Sequence, residues 1–233
     1  MSARTDRFLL GAVPKMGSTW LREVLLSQGR HPDALPSVHG PLHALRPEDV
    51  GGRTLIAGLR RPLPWAASAY LHLLRRHKRS WLRPDEGPPR SFPAFIEVLT
   101  GARWAPVGEL EALIDWLPPE AHEAARARGV GLWTMTLQYL LGDDDLWRSG
   151  EGRWLVQVLL NVEELNRSLE ELLGQPIQRQ FARPRNTALE HGDVDPATLD
   201  PGPGAALLEI HDGALARQLP GAGSWTLHRM PSC

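Results

Sequence analysis

The chain alternates short unbroken apolar runs with longer stretches whose apolar residues recur every three or four positions. Phe8-Leu9-Leu10-Gly11-Ala12-Val13 is unbroken and stops at Pro14. A run of that length, ended by proline, predicts a strand buried on both faces, as in a parallel sheet. Thr54-Leu55-Ile56-Ala57-Gly58-Leu59 is a second such run, closed by Arg60-Arg61-Pro62, and Trp154 to Leu160 is a third. Helical spacing appears between them. Trp20, Leu21, Val24, Leu25 and Leu26 mark a helix opened by Ser18, and another follows from about Pro64 to His77. Ser91 suits the cap of a helix with Phe92, Phe95, Ile96 and Leu99 on one face. Leu110, Leu113, Ile114 and Leu117 repeat the pattern, as do Trp133, Leu137, Leu140 and Leu141. Val162, Leu165, Leu169 and Leu172 mark one more helix, with Gly174 placed as its C-cap. Residues 29–53 read mostly as loop, and the Pro- and Gly-rich tail holds one helix near 205–218. Alternating strands and helices predict an α/β fold, a central, mainly parallel sheet flanked by helices. We expect one domain over 1–233, with 186–233 as an extension packed on it.

Composition narrows this picture. A chain of 233 residues suits a single domain. The only cysteine, Cys233, excludes an internal disulfide and a cysteine metal cluster, and it fits a reducing compartment. No apolar stretch approaches the length of about 18 residues expected of a membrane-spanning helix. The run at Phe8–Val13 is too short for a signal segment. A cytoplasmic protein with no membrane partner is the expectation. The net charge of -1 disfavours a nucleic-acid partner. Yet the first 84 residues carry 14 basic and 5 acidic side chains, and a positive region suits an anionic ligand. Of 26 basic residues only Lys15 and Lys78 are lysines, so the setting of Lys15 matters, because lysine and arginine are not interchangeable.

That setting is Pro14-Lys15-Met16-Gly17-Ser18-Thr19-Trp20, between the first strand and the first helix. Here free backbone N–H groups and the helix dipole favour an anion. Gly17 allows close approach, Ser18 and Thr19 bring hydroxyl donors, and Lys15 brings a mobile charge. A Walker A loop has lysine directly after its last glycine, whereas here Ser18 follows Gly17. The pattern resembles instead the 5′-phosphosulfate loop of sulfotransferases that use 3′-phosphoadenosine 5′-phosphosulfate (PAPS). Arg60, Pro62 and Ser68 have the spacing of that family's 3′-phosphate site, with Pro64 where the family often has Asp. His39-Gly40-Pro41-Leu42 resembles the segment that carries the catalytic histidine in the cytosolic, aryl-type members; His43, His72 and His77 read as ordinary surface histidines. Phe181-Ala182-Arg183-Pro184-Arg185 sits where the family has Phe-x-Arg-Lys-Gly, a late loop touching the 3′-phosphate; Pro184 and Arg185 replace its Lys and Gly, so only Arg183 is carried over as a contact. Val162 stands where the family has a tyrosine that contacts adenine.

The resemblance implies a P-loop-like sulfotransferase fold and transfer of sulfonate from PAPS to a small-molecule hydroxyl or amine, leaving PAP. It implies catalytic roles for Lys15, at the leaving oxygen, and for His39, as general base. It implies cofactor contacts from Lys15, Gly17, Ser18, Thr19, Trp20, Arg60, Ser68 and Arg183, and no metal. Trp20 is placed to stack on adenine, and Trp65, Trp81, Trp104, Trp116 and Trp133 lie where the family builds its acceptor pocket. Asp143-Asp144-Asp145 reads as a solvated acidic loop rather than a cation site. The altered late loop and the lost tyrosine keep a second reading open, an inactive PAP- or PAPS-binding module. An ATP-dependent small-molecule kinase is a third, weakened by the position of Lys15.

Overall fold

The computed structural model of the chain describes residues 8–27, 33–34, 40–76, 91–102, 114–177, 198–219 and 227–229. Its strands are β1 (Phe8–Gly11), β2 (Asp33–Ala34), β3 (Thr54–Leu59), β4 (Val158–Asn161) and β5 (Leu227–Arg229). Its α-helices are α1 (Ser18–Ser27), α2 (Pro47–Val50), α3 (Pro62–Arg76), α4 (Phe92–Leu99), α5 (Pro119–Arg128), α6 (Leu132–Leu141), α7 (Asp144–Arg148), α8 (Leu165–Leu173) and α9 (Gly204–Gln218). The chain is an α/β protein, and it divides into two compact units. One is drawn from residues 1–60, 137–185 and 219–233, the other from 61–136 and 186–218.

The first unit holds the sheet, in the order β2-β1-β3-β4-β5. The β1–β2, β1–β3 and β3–β4 pairs are parallel, and β5 runs antiparallel to β4. Strand alternation sorts the core. Phe8, Leu10, Ile56, Val158 and Leu160 share one cluster with Trp20, Leu21, Val24 and Leu25 of α1 and Leu165 and Leu169 of α8. On the other face Gly11 leaves space that the Leu141 and Leu42 side chains fill. The third strand starts later than its apolar run, at Val158 rather than Trp154. Leu155 and Val156 turn their N–H groups to Leu141 O instead of to a neighbouring strand, and Trp154 makes only an isolated bridge to Gly142.

The second unit is helical. Ser91 caps α4, its Oγ accepting from Ala94 N–H at 3.4 Å. Helix α9 packs on α3 and α4, and Gly204 of α9 lies flush against Ile96 of α4. Helix α5 has no apolar stripe in its sequence, because its buried positions are Ala121, His122 and Ala125. The expected helix over Leu110–Leu117 falls largely outside the described residues. No helix among the described residues is long and apolar enough to cross a membrane.

Candidate anion-binding site

The site forms where β1 gives way to α1. Met16 N–H donates to Val13 O at 3.2 Å, closing a turn, and Leu21 N–H donates to Gly17 O at 3.0 Å, starting the helix. Gly17 is left-handed, with φ of 72°. So is Lys15, with φ of 63°, the sole non-glycine residue with positive φ among the described residues. Left-handed backbone costs an L-residue roughly 1–2 kcal/mol, and it persists where surrounding structure enforces it, commonly at functional sites. Turns of this kind gather successive N–H groups into a concavity that takes an anion. The first turn of α1 carries no acidic side chain to occupy it. Lys15 and Ser18 are half-buried, Thr19 is exposed, and Met16 is fully buried.

Strand order makes this loop a candidate site. The connection from β1 leads to β2 on one side of it, and the connection from β3 leads to β4 on the other. The carboxyl ends of β1 and β3 are therefore the point where the winding reverses, and ligands of open α/β sheets bind at such points. Gly11 pairs with Ala57 there. Two residues beyond Gly58, Arg60 leaves the end of β3, half-buried. Burial pulls its pKa below the ordinary guanidinium value, and the Glu163 carboxylate opposes this. Glu163 follows β4, held by its N–H donating to Asn161 Oδ1 at 3.0 Å. Val162 N–H donates to Leu59 O at 2.9 Å, which keeps the ends of β3 and β4 level.

The structure thus gathers Lys15, Gly17, Ser18, Thr19 and Arg60 around the carboxyl ends of adjacent strands. Ser68 lies in α3, half-buried, in the helical unit. His39 and Arg183 lie outside the described residues, as do Trp81 and Trp104. Trp20 departs from its expected role. It is 3% exposed and belongs to the core under the sheet, so its ring anchors α1 and offers little surface for a base to stack on. Trp65 and Trp133 are likewise core, 0% and 1% exposed. Trp65 meets Trp116 edge-on, and Trp116 Nε1 donates to Thr136 Oγ1 at 3.3 Å.

The acidic run is not a free loop. Asp143 Oδ1 caps α7 by accepting from Leu146 N–H at 3.0 Å, and it also accepts from Arg153 N–H at 3.1 Å. Trp147 Nε1 donates to Asp144 Oδ1 at 3.0 Å. His43 is tied into the same corner, its Nδ1 3.3 Å from Gly142 O and its ring edge-on to Tyr139. Among the described residues no group of three or more His, Cys, Asp or Glu side chains is placed to hold a metal ion. Sequence patterns alone assign no part in the site to Gly58, Met16 or Glu163. Gly58 does carry a signal, since a lone glycine within a strand marks a close backbone approach. No family model, curated protein or solved structure matches the chain.

Proposed function

We propose that the protein is a PAPS-dependent sulfotransferase with a P-loop-like fold, acting on a small-molecule hydroxyl or amine. The observation that carries this reading is the loop itself: a turn with Lys15 and Gly17 left-handed on either side of Met16, at a winding reversal, opening a helix without a first-turn carboxylate. Kinase loops put the lysine after the last glycine; here it precedes Gly17. In the reaction the acceptor heteroatom forms a bond to sulfur as the bond from sulfur to the 5′-phosphate oxygen breaks. The acceptor proton passes to the base, and the electron pair stays on PAP. Sulfonate transfer is close kin to phosphoryl transfer, in which positioning and charge stabilisation do most of the catalysis. Lys15 stabilises the charge growing on the departing oxygen. The base is assigned to His39 on sequence register, a role typically contributing about 10²–10⁴-fold. Arg60 pairs with the 3′-phosphate, a partner for which a fixed guanidinium fork is well suited. The test is a thermal-shift series with PAP, ATP and NAD, followed by transfer of labelled sulfonate from PAPS across acceptor classes. Stabilisation by PAP with transfer to one class is the expected result. Stabilisation by PAP without transfer to any acceptor would favour the inactive binding module, and no response to PAP would reject both.

A further inference from the structure

We infer that Gly58 and Val162 are positioning residues that hold the anion loop in its strained shape, with Met16 as the peg between them. A Cβ built on Gly58 would lie 2.0 Å from Met16 O, and 3.1 Å from both Leu21 Cδ1 and Val162 Cγ2. Backbone therefore rests directly on backbone, at a place in β3 where any other residue would push the loop off the strand. From the side, Val162 closes on the same loop. A Cβ on Gly17 would meet Val162 Cγ1 at 3.2 Å and Leu165 Cδ2 at 3.4 Å. The Met16 side chain is 0% exposed and its N–H is taken by Val13 O. Met16 is thus fixed at its side chain, its N–H and its carbonyl. The residues on either side of it, Lys15 and Gly17, are the two left-handed ones. Strain survives only where the surroundings over-determine it, and Gly58 and Val162 supply that constraint. Val162 therefore serves as an apolar brace on the loop.

What the loop binds rests on the sulfotransferase reading; how the loop is held does not. The test uses a sign. At an ordinary position alanine is more stabilising than glycine, because glycine loses more freedom on folding. At a left-handed position the order inverts. In the full-length protein, Lys15→Gly should melt above Lys15→Ala by about 2–4 °C. With Gly58→Ala also present, Met16 O is displaced, Lys15 is released, and alanine should become the more stable of the pair. Should Gly58→Ala not fold, Val162→Ala serves as the second background, where the glycine advantage should shrink or vanish. An unchanged advantage in the altered background would overturn the inference, as would Lys15→Ala melting above Lys15→Gly in the otherwise native chain. A separate PAP titration of the native and Gly58→Ala proteins reads the consequence. If the native chain shows no PAP response while the melting order still inverts, the functional reading fails and the positioning role stands.

Discussion

Two helix N-termini in this molecule are served by opposite charges. Helix α6 begins after Gly131, whose missing side chain leaves room for a carboxylate from a distant part of the chain. Thr134 N–H donates to Asp212 Oδ1 at 3.0 Å, and a Cβ on Gly131 would lie 2.2 Å from Asp212 Oδ2. Asp212 is 0% exposed. Helix α1 has instead a lysine in a strained turn before it, an arginine at the neighbouring strand end, and no acidic residue in its first turn. Both ends share the same physics, N–H groups with no acceptor inside the helix and a positive dipole end. In α6 the protein's own anion fills that end and locks α9 to the α5–α6 corner, aided by Gly131 N–H donating to His211 O. In α1 the protein places Lys15 and Arg60 beside that end, with the Glu163 carboxylate acting on Arg60, and under the proposed function this is the end that receives the nucleotide's anion.

The sharpest way to break this contrast is to remove the cation. Lys15→Ala should lower sulfonate transfer by about 10²–10³-fold, the cost of losing one preorganised charge-stabilising donor, while circular dichroism stays native. Arg60→Ala should weaken PAP binding by roughly 10-fold or more, since hydrogen bonds to charged groups contribute about 1.5–3 kcal/mol. Transfer at the native rate by Lys15→Ala would leave α1 with no claim to be the reacting end.

The filled end has a pH signature. Burial pushes the Asp212 carboxyl up to about 6 from its ordinary 3.8, with the Thr134 hydrogen bonds and His211 pulling the other way. A raised carboxyl pKa favours the protonated folded state. Its stabilising contribution is complete below pH about 4 and is lost as pH rises through 6, an effect of about 3 kcal/mol by linkage. Asp212→Asn keeps an acceptor at Oδ1 and cannot ionise. The melting temperature of the native protein should therefore fall relative to Asp212→Asn as pH goes from 4 to 7. A constant gap across that range would show that Asp212 keeps an ordinary pKa.

Much of the sheet is legible in the order of residues alone. Thr54–Leu59 is β3 to the residue, because a continuous apolar run closed by Arg-Arg-Pro admits little else. The N-cap at Ser91 and the left-handed C-cap at Gly174 are legible for the same reason, since each rests on local chemistry. Both edge strands escape such a reading. β2 has two residues and β5 three, too few to show an alternation, and their place is set by the strands they join. Helix α5 hides behind its charged residues. The Asp212 cap is unreadable in principle, as its partner lies 78 residues away. For the site, the loop and Arg60 are legible through spacing, but the glycine floor beneath them depends on which backbone crosses β3.

Truncating the cap itself should have a smaller effect. At pH 5, Asp212→Ala leaves Thr134 N–H buried without its acceptor and should cost about 1–2 kcal/mol, the usual scale for a lost N-cap. Because that cap is internal, PAP affinity should not change. A parallel loss of PAP binding would mean that the two helix ends are coupled and do not act separately.

The smallest effect tests the register of the positive end. Arg60 and Arg61 are neighbours, and Arg61 misses the spacing of the family's 3′-phosphate site by a single residue. In the structure Arg60 is half-buried, with a pKa lowered by its surroundings and a carboxylate acting on it, while Arg61 is exposed. Exposed surface substitutions usually change stability by no more than about 0.5 kcal/mol, and an exposed arginine adds little to binding a phosphate held by its neighbour. Arg61→Ala should therefore leave PAP affinity within about twofold of native by the same scale, measured by calorimetry beside Arg60→Ala. If Arg61→Ala instead carries the larger loss, the phosphate sits one residue further along the chain. The anion would then be held by the start of α3, not by the end of β3, and the winding reversal would no longer explain the site.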